Sequence, residues 1–304
     1  MTARGGNLKG QYQSEIFFCD LCQGRQFQVV YRLDGFQVIR CRQCSLISTN
    51  LALKKTDLEA MYAAPYYQQR RDYYFQNCVT NRAVISENTN IRDFREGLSL
   101  IERYKSKGKL LDVGCAIGVF LCLARERGWE VCGVDVSRYA AAYARDVFGL
   151  DVFAGELQEA PFPNRHFDVI TLWDVLEHFP DPSRQLQVTH RVLKDDGIVL
   201  MNTPNEGGLL RLLAGTIFRL SGGKISYPVQ KLYHSFHLHY FTQRTLQALL
   251  AKNGFSLLQL QKRHIPIIKA RGRSIERLIV KTLSVPELLC RREFELLAIA
   301  RKRG

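Results

Sequence analysis

Three observations predict an α/β chain built on a doubly wound, mostly parallel sheet. Between residues 109 and 205, short apolar runs of strand length alternate with segments of helical period. The first run, KLLDV (109–113), ends in a glycine-containing turn, GCAIG (114–118). The second, WEVCGVDV (129–136), carries Asp135 near its end, 23 residues after Asp112. In open α/β sheets a ligand sits beyond the carboxyl ends of the strands, where both acids fall.

The elements follow in order. FFCDLCQGRQFQVVYRLDGFQVIRCRQCSLISTN holds two C-x-x-C pairs, Cys19 with Cys22 and Cys41 with Cys44, eighteen residues apart. Between them VVYRL and FQVIR alternate like two short strands around an Asp34-Gly35 turn. Four thiolates at this spacing match the tetrahedral preference of zinc, and no histidine occurs before residue 166 to replace one. Such a site is closed, so Zn2+ here is structural. Residues 1–50 are thus a zinc-ribbon-like element. Residues 51–108 are a helical, aromatic linker in which Tyr62, Tyr66, Tyr67, Tyr73, Tyr74 and Phe75 gather near Pro65 as a lid for the following domain.

After KLLDV comes a helix, VFLCLARERG (119–128), and then the strand WEVCGVDV. Ser137 N-caps the helix RYAAAYARDVFG, which leads to the short strand LDVF. HFDVITLW (166–173) is a fourth strand, DPSRQLQVTHRVLK a helix and GIVLMNT (197–203) a fifth strand. Thr242 caps a helix whose apolar face is Leu246, Leu249 and Leu250. FSLLQLQKR and EFELLAIARK close the sheet as two more strands. In 209–220, Arg211, Gly215 and Arg219 share one helical stripe, while Leu209, Leu213, Ile217 and Leu220 occupy others. That pattern suits an interfacial helix or a cover over a substrate site.

Charge is unevenly spread. Residues 109–205 hold 9 Lys and Arg against 14 Asp and Glu, whereas residues 206–304 hold 18 against 5. The basic end favours an anionic partner. Nine cysteines without an apolar leader suggest a reducing, cytoplasmic setting, and no run approaches the length of a transmembrane segment.

The turn reads G-x-x-x-G, which is neither a dinucleotide fingerprint nor a Walker loop. With Asp112 beside it, a nucleoside carrying a cation fits better than a polyphosphate. S-adenosyl-L-methionine has both features. Over residues 109–205 the chain resembles class I S-adenosylmethionine-dependent methyltransferases: LLDVGCAIGVF is similar to their first motif and VCGVDVS to the ribose motif. GELQEAPFPNRHFDVITLWDVLEH and VLKDDGIVLMNTPN follow in family order. Ala116 stands where the family usually has glycine, and alanine suits that turn at negative φ.

The resemblance implies a Rossmann-like seven-stranded fold over 109–304, with substrate-side insertions at 206–240 and 264–290. It implies that Asp112, Gly114, Cys115 and Gly118 line the methionine and ribose part, and that Asp135 holds the ribose. Val136, Glu156 and Leu157 would flank the adenine, with Trp173 and Asp174 beside the sulfonium and acceptor. A hydroxyl acceptor needs a base, for which His178 and His239 are the candidates, the latter in a group with His234, His237 and Tyr240. Asp174, Glu177 and His178 also resemble the divalent-cation cluster of ubiquinone-pathway O-methyltransferases. The four-cysteine element resembles that of bacterial enzymes of surface-polysaccharide, sugar and secondary-metabolite pathways. The expected acceptor is a hydroxylated, anionic small molecule such as a glycosyl group or nucleotide sugar. A quinone or lipid-linked acceptor at a membrane surface, and an RNA, are the alternatives.

Overall fold

A computed structural model describes residues 18–51, 57, 60–68, 89–234, 236–264, 282–283 and 285–303. Tyr73, Tyr74 and Phe75 of the proposed lid and the basic run 267–281 lie outside the described residues. In the N-terminal element, β1 (Phe27–Leu33) and β2 (Phe36–Cys41) pair antiparallel across Asp34 and Gly35. β3 (Ile47–Thr49) lies against β2. Helices α1 (Ala64–Gln68) and α2 (Thr89–Ile101) belong to the linker.

The alternating core follows as β4 (Lys109–Val113), α3 (Val119–Glu126), β5 (Glu130–Asp135), α4 (Arg138–Phe148) and β6 (Asp151–Ala154). It continues through β7 (Phe167–Trp173), α5 (Pro182–Val192) and β8 (Leu193–Pro204). Caps set the helix starts as their side chains dictate. Ser137 accepts from the Ala140 N–H, and Asp181 accepts from the Arg184 N–H ahead of Pro182. One boundary differs from expectation: β8 starts at Leu193 and not at Gly197, because Leu193 leaves helical geometry and pairs with Phe167 of β7. The remaining elements are α6 (Leu209–Leu220), α7 (Tyr227–Leu232), β9 (His239–Tyr240), α8 (Gln243–Lys252), β10 (Phe255–Arg263), α9 (285–290) and β11 (Glu295–Lys302).

A seven-stranded sheet forms in the order β10-β11-β8-β7-β4-β5-β6, and β11 runs antiparallel to both of its neighbours. The order reverses at β4, which pairs in parallel with β5 on one side and β7 on the other. Alternation along the strands divides the core in two. Leu111, Val113, Ile170, Leu172, Val199 and Met201 pack on one face, while Leu110, Val169, Ile198 and Leu200 pack on the other. The N-terminal sheet, β1-β2-β3, takes its fourth strand from β9. No described helix is long and apolar enough to cross a membrane.

The two glycines of the turn serve packing more than ligand approach. A Cβ on Gly114 would lie 2.2 Å from Cγ2 of Val175, and one on Gly118 would lie 2.3 Å from Cδ1 of Leu150. Both have positive φ, at 74° and 86°. Ala116 corrects the sequence expectation. Its φ is +48°, not negative, so alanine takes a left-handed conformation that costs about 1–2 kcal/mol. Gly118→Ala is expected to destabilise the fold by about 2–4 kcal/mol through strain and overlap with Leu150. Urea titration checks this, and an unchanged midpoint would contradict the packing role.

Candidate active site

A cavity of about 1100 Å³ opens at the carboxyl ends of β4, β5 and β7, where the strand order reverses. It is lined at one end by Asp112, Asp135, Val136 and Leu157, and at the other by Asp174, Glu177, His178 and His237.

Asp135 is nearly fully buried, and both of its oxygens are engaged by backbone. Oδ2 accepts from the Ala116 N–H at 2.7 Å, and Oδ1 accepts from the Ser137 N–H at 2.8 Å. The acid therefore ties the β4–α3 turn to the start of α4. Burial pushes its carboxyl up to about 6, against those two N–H groups. Asp112 is also buried, and its Oδ1 accepts from Thr171 Oγ1 at 2.6 Å. Burial, followed by the neighbouring Asp135, pushes it up to about 8, with only Thr171 opposing. No cationic side chain contributes to either shift. The pocket thus holds two desolvated carboxyl groups whose ionised forms a cationic ligand would stabilise.

Cys115 lines the same end, but burial raises its thiol well above the ordinary range, so it fills space and is not a reactive thiolate. Gly114 lines the cavity as well, whereas Gly118 acts behind it as the packing point described above. Glu156 caps the short helical turn Leu157–Glu159 and bonds Gln158. Trp173 lies beneath α2 against Phe94 and Phe120, with ring centroids at 5.0 and 5.5 Å. Its buried indole N–H has no hydrogen-bond partner among the described residues. Tyr62, Tyr66 and Tyr67 form a wall of the cavity, and Ser137 Oγ donates to the Tyr62 carbonyl at 2.6 Å.

At the other end, His178 Nδ1 lies 2.6 Å from the Phe236 carbonyl. A carbonyl only accepts, so Nδ1 carries the proton and Nε2 keeps a lone pair. Burial lowers the His178 pKa, outweighing the Phe236 carbonyl and Asp174, so the ring is neutral near pH 7. His237 packs edge-on to it, with centroids 4.6 Å apart, and burial lowers its pKa further.

His239 does not join this group. It is buried against the N-terminal element, with Nδ1 3.1 Å from Ser48 Oγ, and burial holds it down to about 4. Its Nε2 lies 3.8 Å from Asp20, but a neutral ring makes no ion pair there. β9 is only two residues long, so His237, just before it, is free of the strand geometry that turns His239 to the other side. The H-x-H spacing alone could not tell them apart. Thr171, the Phe236 carbonyl and Asn202, whose Nδ2 donates to Asp174 at 2.6 Å, also escaped the sequence reading. Thr171 carried a usable clue: it is the one polar residue in the stretch Val169–Trp173 of a central strand.

Two groups have the donor set of a metal site. The sulfurs of Cys19, Cys22, Cys41 and Cys44 all lie within 4.8 Å of one another, with Cys19–Cys44 at 3.4 Å and Cys22–Cys41 at 3.5 Å. These separations are too long for disulfides and close to the ~3.8 Å edge of a tetrahedral tetrathiolate zinc site with 2.3 Å bonds. Ligand atoms of Glu177, His178 and His237 also fall within 4.8 Å of one another. Asp174 is not in this set. His237 supplies the third donor instead.

A family model described as a methyltransferase domain matches residues 86–260. The ubiquinone biosynthesis O-methyltransferase of Pseudomonas entomophila (strain L48) is 35% identical over 122 residues, which cover 37% of this chain and 52% of that enzyme. A probable S-adenosylmethionine-dependent methyltransferase of Mycobacterium tuberculosis is 32% identical over 101 residues, 32% of this chain and 35% of that one. The chain thus spans about half or less of the length of the curated relatives it matches. Among solved structures, an S-adenosylmethionine-dependent methyltransferase from Archaeoglobus fulgidus superposes with a TM-score of 0.52 at 18% identity, covering 78% of this chain and 99% of that one. The [4+2]-cyclase SpnF superposes with a TM-score of 0.57 at 18% identity, covering 83% and 98%.

The raised carboxyls set a pH dependence. Each folded-state pKa lies above its unfolded value, so its stabilising contribution is complete below about pH 4 and is lost as pH rises through the folded value. Ligand-free protein should lose stability between the ordinary 3.8 and about 8 for Asp112. Asp112→Asn should flatten that decline in thermal melts across this range, and an unchanged slope would refute the assignment.

Proposed function

Because the chain belongs to the methyltransferase-domain family, we propose that it transfers a methyl group from S-adenosylmethionine to a hydroxyl of a small acceptor. The observation that carries this reading is the pairing of two desolvated carboxyl groups at one end of the cavity with a neutral, oriented histidine at the other. Asp112 and Asp135 suit the ammonium and ribose of the cofactor, while Val136 and Leu157 offer an apolar slot for its adenine. The bound cofactor supplies an activated methyl group on sulfur. The protein's own part is to hold the acceptor in line, exclude water and remove one proton. His178 takes the acceptor's hydroxyl proton at Nε2, and the Phe236 carbonyl stabilises the ring as it becomes charged.

Glu177, His178 and His237 also offer the donor set for a divalent cation; were one bound at His178 Nε2, that lone pair would be spent and the cation, in place of the ring, would lower the pKa of the acceptor hydroxyl. Glu177 Oε1 and His237 Nδ1 are buried without hydrogen-bond partners among the described residues, consistent with donors waiting for a ligand. The four cysteines would hold a structural zinc ion. Resemblance to sugar-modifying enzymes and the basic third of the chain favour a glycosyl or other anionic acceptor.

The superposition on a [4+2]-cyclase supplies the rival reading, since that scaffold is not restricted to methyl transfer. Labelled methyl incorporation separates the two. His178→Gln is expected to lower kcat by roughly 10²–10⁴-fold while calorimetry shows S-adenosylmethionine binding within about twofold. In the parent enzyme the acid limb of kcat should fall below pH 6.5, because the base is depressed from that ordinary value. Full activity in His178→Gln would remove the base assignment. Elemental analysis is expected to find about one zinc per chain, falling by more than roughly half in Cys41→Ser.

A further inference from the structure

The helix α6 is packed inside out. Its one inward charge, Arg211, is buried over the rings of Tyr233 and Tyr240 at 4.7 and 4.8 Å and pairs with Glu206 at 3.4 Å. Its outward face carries Leu212, Leu213, Ile217 and Leu220, exposed by 43, 38, 42 and 85%. A helix that merely covered its own domain would bury the leucines and expose the arginine. Leu288 and Leu289 of α9, exposed by 60 and 78%, extend the surface. The start of α6 is tied to the segment just after α9, where the Leu209 N–H donates to the Arg292 carbonyl at 2.7 Å. Of thirteen large apolar side chains exposed among the described residues, ten lie in the two segments 212–236 and 285–289, so the exposed apolar surface is concentrated in them.

The charges around this patch have one sign. Arg219, Lys224, Lys231, Arg291 and Arg292 are exposed beside it. Residues 207–234 contain no Asp or Glu. In 282–292 the single acid, Glu287, is buried and bonded to His264 at 3.0 Å. Two copies of this face brought together about a twofold axis would set cations against cations. The patch also reaches the mouth of the cavity, because Lys231 and Phe236 line it.

We propose that the α6–α9 face docks on an anionic phospholipid surface, with the leucines entering the interface and the surrounding cations meeting headgroup phosphates. Apolar side chains ringed by cations match this surface chemistry, where insertion and electrostatic attraction add. The docked enzyme would present its cavity mouth to acceptors held at that surface. This inference concerns where the enzyme works and stands whether or not the acceptor is a glycosyl group.

The test is flotation of the full chain with phosphatidylcholine vesicles, with and without about one third phosphatidylglycerol. Flotation is expected with the anionic vesicles and weak or absent with the neutral ones. Leu220→Glu/Leu289→Glu should cut the bound fraction by roughly tenfold, with thermal melts and S-adenosylmethionine affinity unchanged. Lys224→Glu/Arg291→Glu, which leaves the leucines in place, should weaken binding to anionic vesicles alone. No flotation with anionic vesicles overturns the proposal. So does equal flotation on both compositions, or flotation insensitive to both double variants. A doubled mass by light scattering without flotation would assign the face to a second copy, and that also overturns it.

Discussion

One buried carboxyl group organises the β4–β5 end of the cavity. Asp135 holds the N–H of Ala116 on one loop and the N–H of Ser137 on the next. The turn after β4 and the start of α4 cannot be placed independently. Ala116 accepts a left-handed conformation in which its N–H is held, and Gly114 and Gly118 admit Val175 and Leu150 beside the backbone. The cost is a desolvated acid with no cation to relieve it, and beside it Asp112 in the same condition. Such a site is uncomfortable when no cation is present and is relieved by a positively charged ligand.

The end of the cavity that holds His178 is built by other means. The Leu238 N–H donates to the Glu177 carbonyl, while its own carbonyl accepts from the Thr49 N–H. That residue stitches the 3₁₀ turn bearing His178 to the strand that follows the cysteine element. Asp20, inside the first cysteine knuckle, accepts through its carbonyl from Ser183 and Lys252. The N-terminal element is thereby fastened to α5 and α8 and is not a bead on a linker.

Much of this was legible in the residues. Short apolar runs located the central strands, and strand–helix alternation predicted a mostly parallel, doubly wound sheet with Asp112 and Asp135 at the carboxyl ends of its strands, where the cavity lies. The caps at Ser137 and Thr242 were readable because a short hydroxyl side chain has little else to do before an amphipathic run. Other features depend on contacts distant in sequence, which no local pattern encodes. The roles of His237 and His239 diverge because β3 claims one side of the segment. The sign of φ at Ala116 follows from Asp135, nineteen residues later. The inverted face of α6 required seeing Tyr233 and Tyr240 beneath Arg211, since the helical stripe could be read either way up.

The pairing of β3 with β9 also bears on biosynthesis. Ser48 and His239 are 191 residues apart, so during translation the cysteine hairpin emerges long before its fourth strand exists. Until then the outer side of β3 presents unsatisfied N–H and C=O groups, a ready template for an unrelated chain. Its three residues keep that template short, which limits the hazard through the wait. The pairing that joins the cysteine hairpin to the rim of the candidate site thus cannot form until Tyr240 has been made, and the nascent polypeptide carries an open seam until then.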